Sequence, residues 1–317
     1  MRFSLTDEQT WLAASVRALL ADRPSSGELD RGLVDALARL DVFDLAEPAL
    51  AVELAVVAEE VGAALPAVPF VPMVVGSLLL GERRSGVLTV GWQTFPEPFG
   101  MRPLALVGGR VSGTVAAVPF GAMADEMLAF TPDGIVVADL ASAVCSAGTA
   151  FDLSEPPATV VVDAVLPVTP VRHVLPPILT VLAAELVGTG QRALDDAVGY
   201  VRRREQFGRP VGSFQAVKHM LADRHVQLDA ARGLVRYAAW AVAAGDEAEL
   251  PARTALAAAC DAALAAASDN LQAHGGIGFT WEHPAHRYLR RARARRALVG
   301  TRARQYHRIA EHILGLV

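Results

Sequence analysis

The feature that most constrains this chain is its last 140 or so residues, where Ala, Leu, Val and Arg recur at helical spacing almost without interruption. Four long segments stand out, at about 177–204, 213–244, 251–274 and 284–315. Their corners are marked by Gly208, Pro210, Gly245, Pro251, Gly275, Gly276 and Pro284, with a further break near Gly300. Pro176-Pro177 suit the first turn of the first segment. Helices of this length on short connections fold most simply as an antiparallel four-helix bundle.

The remainder of the chain has two textures. Thr6-Asp7-Glu8-Gln9 ahead of Trp11, Leu12, Val16, Leu19 and Leu20 predicts a capped amphipathic helix, and a second helix is expected from about Ala49 to Ala64. From about Gly86 to Val171 short β-branched runs alternate with Gly, Pro and Asp, the pattern of short strands. Thr131-Pro132-Asp133-Gly134 is the clearest turn among them, with Pro setting φ and Gly accepting a positive one. The expectation is a mostly α, α+β chain: an N-terminal helical unit over 1–86, a β unit over 87–171 and the bundle over 172–317.

Several function classes are disfavoured. Residues 61–81 carry no charge and have the length of a membrane span, but Pro66, Pro69 and Pro72 would leave backbone groups that lipid cannot satisfy. The first twenty residues place Asp, Glu and Gln where a signal peptide needs an apolar stretch. Cys145 and Cys260 match no metal-ligand spacing, so the expected setting is a reducing cytoplasm, with no membrane and no metal. Arg287, Arg290, Arg291, Arg293, Arg295, Arg296, Arg302, Arg304 and Arg308 form a basic cluster, yet the net charge is −5 and no nucleic-acid motif accompanies them. They read as a solvated or subunit-facing helix surface.

Two stretches carry chemistry. RRREQFGRPVGSFQAVKH (202–219) sets Arg204 at the end of one helix, Phe207 and Gly208 in the corner, and Phe214 and Gln215 at the start of the next. A guanidinium there can hold a phosphate bidentately, and an aromatic beside it can cover a nucleotide ring. Equally, Arg204 can serve as a cationic helix end with Phe207 stapling the turn. LQAHGGIGFTWEH (271–283) ends a helix at Gln272 and runs into Gly275-Gly276, which allow close approach of a ligand to backbone or form an ordinary glycine cap.

Together, residues 183–223 and 271–292 resemble the two most recognisable segments of the acyl-CoA dehydrogenase family, and the order helical, β, helical resembles its fold as well. The resemblance implies a flavoprotein whose FAD lies at a dimer interface, with the isoalloxazine in one subunit's β domain and the ADP half gripped by the neighbour's bundle. It implies Arg204, Phe207, Gln215, Gln272, Gly275 and Gly276 as that grip, with Thr301 as a further cofactor contact, and an electron transfer flavoprotein as a partner.

The family's catalytic base is a glutamate preceding a Gly-Thr; here that position is Val299, before Gly300 and Thr301. The alternative position on the first bundle helix is Ile178. Glu185 stands two helical turns beyond it, about 10 Å along the axis, too far for the same geometry. It reads as a buried or interfacial carboxylate. The family's Thr-Glu-Pro segment is echoed only by Pro96-Glu97-Pro98, in a shortened β unit whose isoalloxazine pocket is expected to be defective.

The losses spare the grip and remove the base. The resemblance therefore extends to the short subunit of α2β2 heteromers from actinobacterial sterol breakdown, with a full-length partner supplying base, flavin pocket and acyl-CoA site. A self-sufficient homomer with an unrecognised base and a non-catalytic scaffold are the other readings.

Overall fold

The computed structural model describes residues 4–316 apart from 22 and 24–26. Four helices come first: α1 (Asp7–Leu20), α2 (Arg31–Arg39), α3 (Ala51–Ala64) and α4 (Phe70–Leu80). Thr6 and Gln9 form the capping box at the start of α1. Strands β1 (Leu88–Val90), β2 (Ala105–Val107), β3 (Arg110–Pro119), β4 (Glu126–Thr131), β5 (Gly134–Asp139), β6 (Val144–Ala147) and β7 (Pro157–Val165) follow. The bundle comprises α5 (Leu175–Arg203), α6 (Gln215–Ala244), α7 (Glu249–His274), α8 (Ala285–Val299) and α9 (Arg302–Ile313), with a two-residue hairpin, β8 (Glu205–Gln206) and β9 (Arg209–Pro210), between α5 and α6.

The strands form two sheets, ordered β1-β4-β5 and β2-β3-β7-β6. β4 and β5 pair antiparallel across the Thr131–Gly134 turn, as the Pro-Asp-Gly chemistry predicts. Trp92 packs on Phe95 and Phe99 with ring centroids 5.0 and 4.9 Å apart, and Phe95 on Phe130 at 4.6 Å, which fills the space beside the first sheet.

The charge-free run at 61–81 is the end of α3 and the buried α4, an 11-residue helix that packs beneath β1. At 1.5 Å per residue it is about 16 Å long, half a bilayer core. It is apolar all round because the fold surrounds it. α7 with its 3-10 extension, Glu249–Phe279, is long and apolar enough to cross a membrane, but it packs between α5, α6 and α8.

Helix α5 is the spine, and small residues let its neighbours approach. A Cβ on Gly62 of α3 would fall 1.9 Å from the Glu185 carbonyl oxygen, and one on Gly188 of α5 would fall 1.8 Å from that of Glu59. The two glycines thus seat each helix on the other's backbone, and Thr189 Oγ1 donates across the crossing to the Gly62 carbonyl at 3.0 Å. On its other side α5 meets the alanine-rich α7, where Gly190 lies over Ala263.

The β unit is tied to this spine by a buried ionic cluster. Arg291 and Arg295, one turn apart on α8, are 2% and 4% exposed. Arg291 donates to Asp152, to Ser154 Oγ at 2.8 Å and to Glu185 Oε1 at 2.5 Å. Arg295 forks onto Glu185 at 2.6 and 2.8 Å and onto Glu155 at 2.7 Å twice. One α5 carboxylate and three residues of the β6–β7 connection therefore converge on two guanidinia. The nine arginines are accordingly not one solvated face: these two turn inward, Arg296 pairs with Asp261, and Arg304 and Arg308 pair with Glu97.

Burial alone would push the Glu185 and Asp152 carboxyls up, but the Arg295 and Arg291 charges and hydrogen bonds outweigh it and hold both below the ordinary carboxylate range. Both groups are bound more weakly by protons in the folded state than in the unfolded one. Their contribution is complete above the unfolded carboxylate pKa of about 4 and is lost as pH falls through the lower folded values.

Glu185→Gln should cost about 3–5 kcal/mol, because it leaves buried guanidinium charge uncompensated. Urea midpoints measured from pH 7 down to pH 3 should fall more steeply for the wild type than for this variant. Gly188→Ala should destabilise by about 1–3 kcal/mol through overpacking. Gly233→Ala, on α6 where an added Cβ meets nothing within 4 Å, should stabilise by up to about 1 kcal/mol in the same denaturation assay.

Candidate functional site: the dinucleotide corner

The corner between α5 and α6 is a two-residue hairpin. Phe207 and Gly208 both hold positive φ, 55° and 75°, as a type I′ turn requires. Arg204 closes α5 with its own amide on the Tyr200 carbonyl at 2.9 Å, and the Val211 amide returns to the Arg204 carbonyl at 2.7 Å. The turn pushes Phe207 outward, where it is 92% exposed. Phe207 therefore does not staple the turn; it meets only the edge of Phe214, whose face is covered by the Arg209 guanidinium at 4.1 Å. The Arg204 side chain is exposed and has no ion-pair partner among the described residues. Gln215, the first residue of α6, is exposed beside them.

The glycine pair lies at the same end of the bundle. The Tyr200 and His274 rings are 4.2 Å apart, which holds the end of α7 against the last turn of α5. Gly275 takes φ 63° and ψ −142°, a conformation open to glycine, and a Cβ on Gly275 or Gly276 would meet nothing within 4 Å. Gln272 is exposed one turn earlier. Ile277, Phe279 and Trp281 follow at 51%, 71% and 66% exposure. Sequence reasoning gave these no role, and it read Arg290 only as part of the basic cluster; Arg290 lies 4.6 Å over the Trp281 ring and donates to the Phe151 carbonyl at 2.9 Å. The Phe-Thr-Trp run after the glycines was the available signal.

Six of the seven sequence-predicted cofactor residues thus share one end of the bundle. Thr301 does not. It caps α9, accepting from the Arg304 amide, at the far end of the 15-residue α8, about 22 Å away at 1.5 Å per residue. Its neighbour Gly300 instead lines a cleft of about 600 Å³ between the β unit and α8, walled by Trp92, Phe99, Phe151 and Pro157. The β unit is short, but it retains a cavity there.

The six clustered residues suit the ADP half of FAD. They offer a guanidinium with no ion-pair partner among the described residues, two exposed side-chain amides, one exposed aromatic ring, and glycine backbone with open space before it.

The positions where a base would stand are closed. Val299 is fully buried and Ile178 is 3% exposed. Val299 lines a cavity of about 20 Å³ with Leu179, Leu256, Pro98 and Glu97, room for roughly one water. Glu97 is the only carboxylate among its lining residues, and hydrogen bonding from Arg308, with the charge of Arg304, holds it below the usual range. Both Glu185 oxygens are taken by arginines, so that residue is a buried structural carboxylate.

A profile of the acyl-CoA dehydrogenase C-terminal domain matches residues 180–314. The chain is 38% identical over 247 residues to acyl-CoA dehydrogenase FadE34 of Mycobacterium tuberculosis, a match covering 75% of this chain and only 33% of that relative. It is 31% identical over 269 residues to acyl-CoA dehydrogenase IpdE2 of Mycolicibacterium smegmatis, covering 82% of this chain and 78% of the relative. Among solved structures, the G363A variant of the Tcur3481–Tcur3483 steroid acyl-CoA dehydrogenase superposes with a TM-score of 0.83 at 25% identity, covering 98% of each chain. The chain belongs to the acyl-CoA dehydrogenase family, whose members are FAD-dependent.

Proposed function

We propose that this chain is a subunit of a heteromeric acyl-CoA dehydrogenase that grips the ADP half of a partner's FAD while the partner supplies the base, the isoalloxazine pocket and the acyl-CoA site. The observation that carries the reading is an asymmetry within one chain: an open corner with an unpaired Arg204 at one end of the bundle, and a cavity of only about 20 Å³ with the buried Val299 at the position of the base. When bound, FAD supplies the two-electron acceptor for α,β-dehydrogenation of a CoA thioester. Arg204 would pair with phosphate oxygens, Phe207 would cover the ring, and the Gly275 and Gly276 backbone would meet the ligand closely. Thr301, beside the chain's own cleft, falls outside this grip.

A full-length family member is the partner this reading requires, with an electron transfer flavoprotein as the onward acceptor. The likeness to the Tcur3481–Tcur3483 steroid acyl-CoA dehydrogenase favours a sterol-derived thioester. Residues 1–86, 87–171 and 172–317 are proposed as the three units of the chain. A homomer using Glu185 as base is disfavoured by that residue's arginine contacts.

Purified alone, the chain should be colourless and inactive, and it should yield a yellow complex when co-expressed with its partner. Arg204→Ala in that complex should weaken FAD by about tenfold to a hundredfold, as expected for loss of charge-assisted hydrogen bonds. Thr301→Ala should leave the affinity nearly unchanged. Equilibrium dialysis against FAD reads both; equal FAD content in wild type and Arg204→Ala would reject the grip.

A further inference from the structure

The cavity beside Val299 is small for a specific reason. Residues 93–102 fold across it as a compact loop, with the Gly100 amide on the Trp92 carbonyl at 3.3 Å, Met101 on Phe95 at 2.7 Å and Arg102 on Gln93 at 2.9 Å. Gly100 is so close to Gln93 that a Cβ would fall 2.2 Å from its carbonyl oxygen. Pro98 is buried against the cavity and Glu97 points to α9, where Arg308 forks onto its carboxylate, with Nε at 2.6 Å, and Arg304 adds a contact at 3.3 Å. Arg308 is itself held by Glu311 at 2.8 Å. The far wall, Leu179, Leu256 and Val299, is apolar and buried.

We infer that residues 93–102 are a latch, locked by Glu97 to Arg304 and Arg308, that fills the space beside Val299, where Glu97 and Pro98 leave room for about one water, and so keeps an acyl chain out of that position. The latch joins the β unit to the last helix beside the cavity. Its lock is a forked, charge-assisted contact between segments some 200 residues apart in sequence, which no local turn energy maintains. Glu97 lies between two guanidinia and is already charge-compensated. It serves as a closing group, and no proton-accepting role is left to it.

The latch deepens the reading that acyl chemistry belongs to the partner, and it rests on that reading only for its purpose. Its test uses the lone 317-residue chain, so it succeeds or fails whether or not a partner shares FAD. Hydrogen–deuterium exchange should show the amides of Gly100, Met101 and Arg102 exchanging about tenfold faster in Glu97→Gln, and likewise in Arg308→Gln, with α7 unchanged. Isothermal titration of the wild type with octanoyl-CoA should give no more binding than CoA itself. Unchanged exchange in both variants would overturn the lock, and octanoyl-CoA binding the wild type more tightly than CoA would overturn the occlusion.

Discussion

The cluster of Arg291 and Arg295 with Glu185, Asp152 and Glu155 is the contact on which the arrangement of this protein depends. It joins α8 to α5 and both to the β6–β7 connection, so three parts of the chain are registered by one set of forked hydrogen bonds. A cluster of this kind adds little net stability over an apolar filling, but every mispairing of its members leaves a buried charge exposed to a low dielectric. It therefore acts mainly on geometry. With α8 held in this register, the Gly275-Gly276 end and the Val299 end lie at opposite ends of one rigid helix.

That separation gives the functional reading its physical content. At one end, the Arg204 guanidinium has no ion-pair partner among the described residues, and the left-handed turn at Phe207 and Gly208 holds an aromatic 92% exposed to water. At the other end, Glu97 is paired with Arg304 and Arg308, and the space beside Val299 is only about 20 Å³. Unsatisfied binding capacity at one place and paired contacts at the other are what a shared dinucleotide site requires of the subunit that lends its grip.

The sequence showed the helices well because glycine and proline mark their ends. Expected segments at 177–204, 213–244, 251–274 and 284–315 correspond to Leu175–Arg203, Gln215–Ala244, Glu249–His274 and the pair Ala285–Val299 and Arg302–Ile313 broken at Gly300. The corner residues were legible for the same reason, since Phe-Gly and Gly-Gly demand unusual backbone. The ionic cluster was not legible. Arg291 and Arg295 sit in a run that reads as a polar face, and their partners lie more than 100 residues away with no local pattern to announce them. Glu97 likewise reads as an eroded motif until Arg304 and Arg308 are seen to hold it. Thr301, expected as a further cofactor contact, lies at the Val299 end of α8, away from the corner, and the sequence alone does not show which end of that helix it occupies.

The most direct test of the account is to photolyse the co-purified complex loaded with FAD bearing an azido group on adenine, then map the labelled peptides by mass spectrometry. The account predicts label on this chain within residues 204–215 or 272–281. Label confined to the partner's peptides would contradict it.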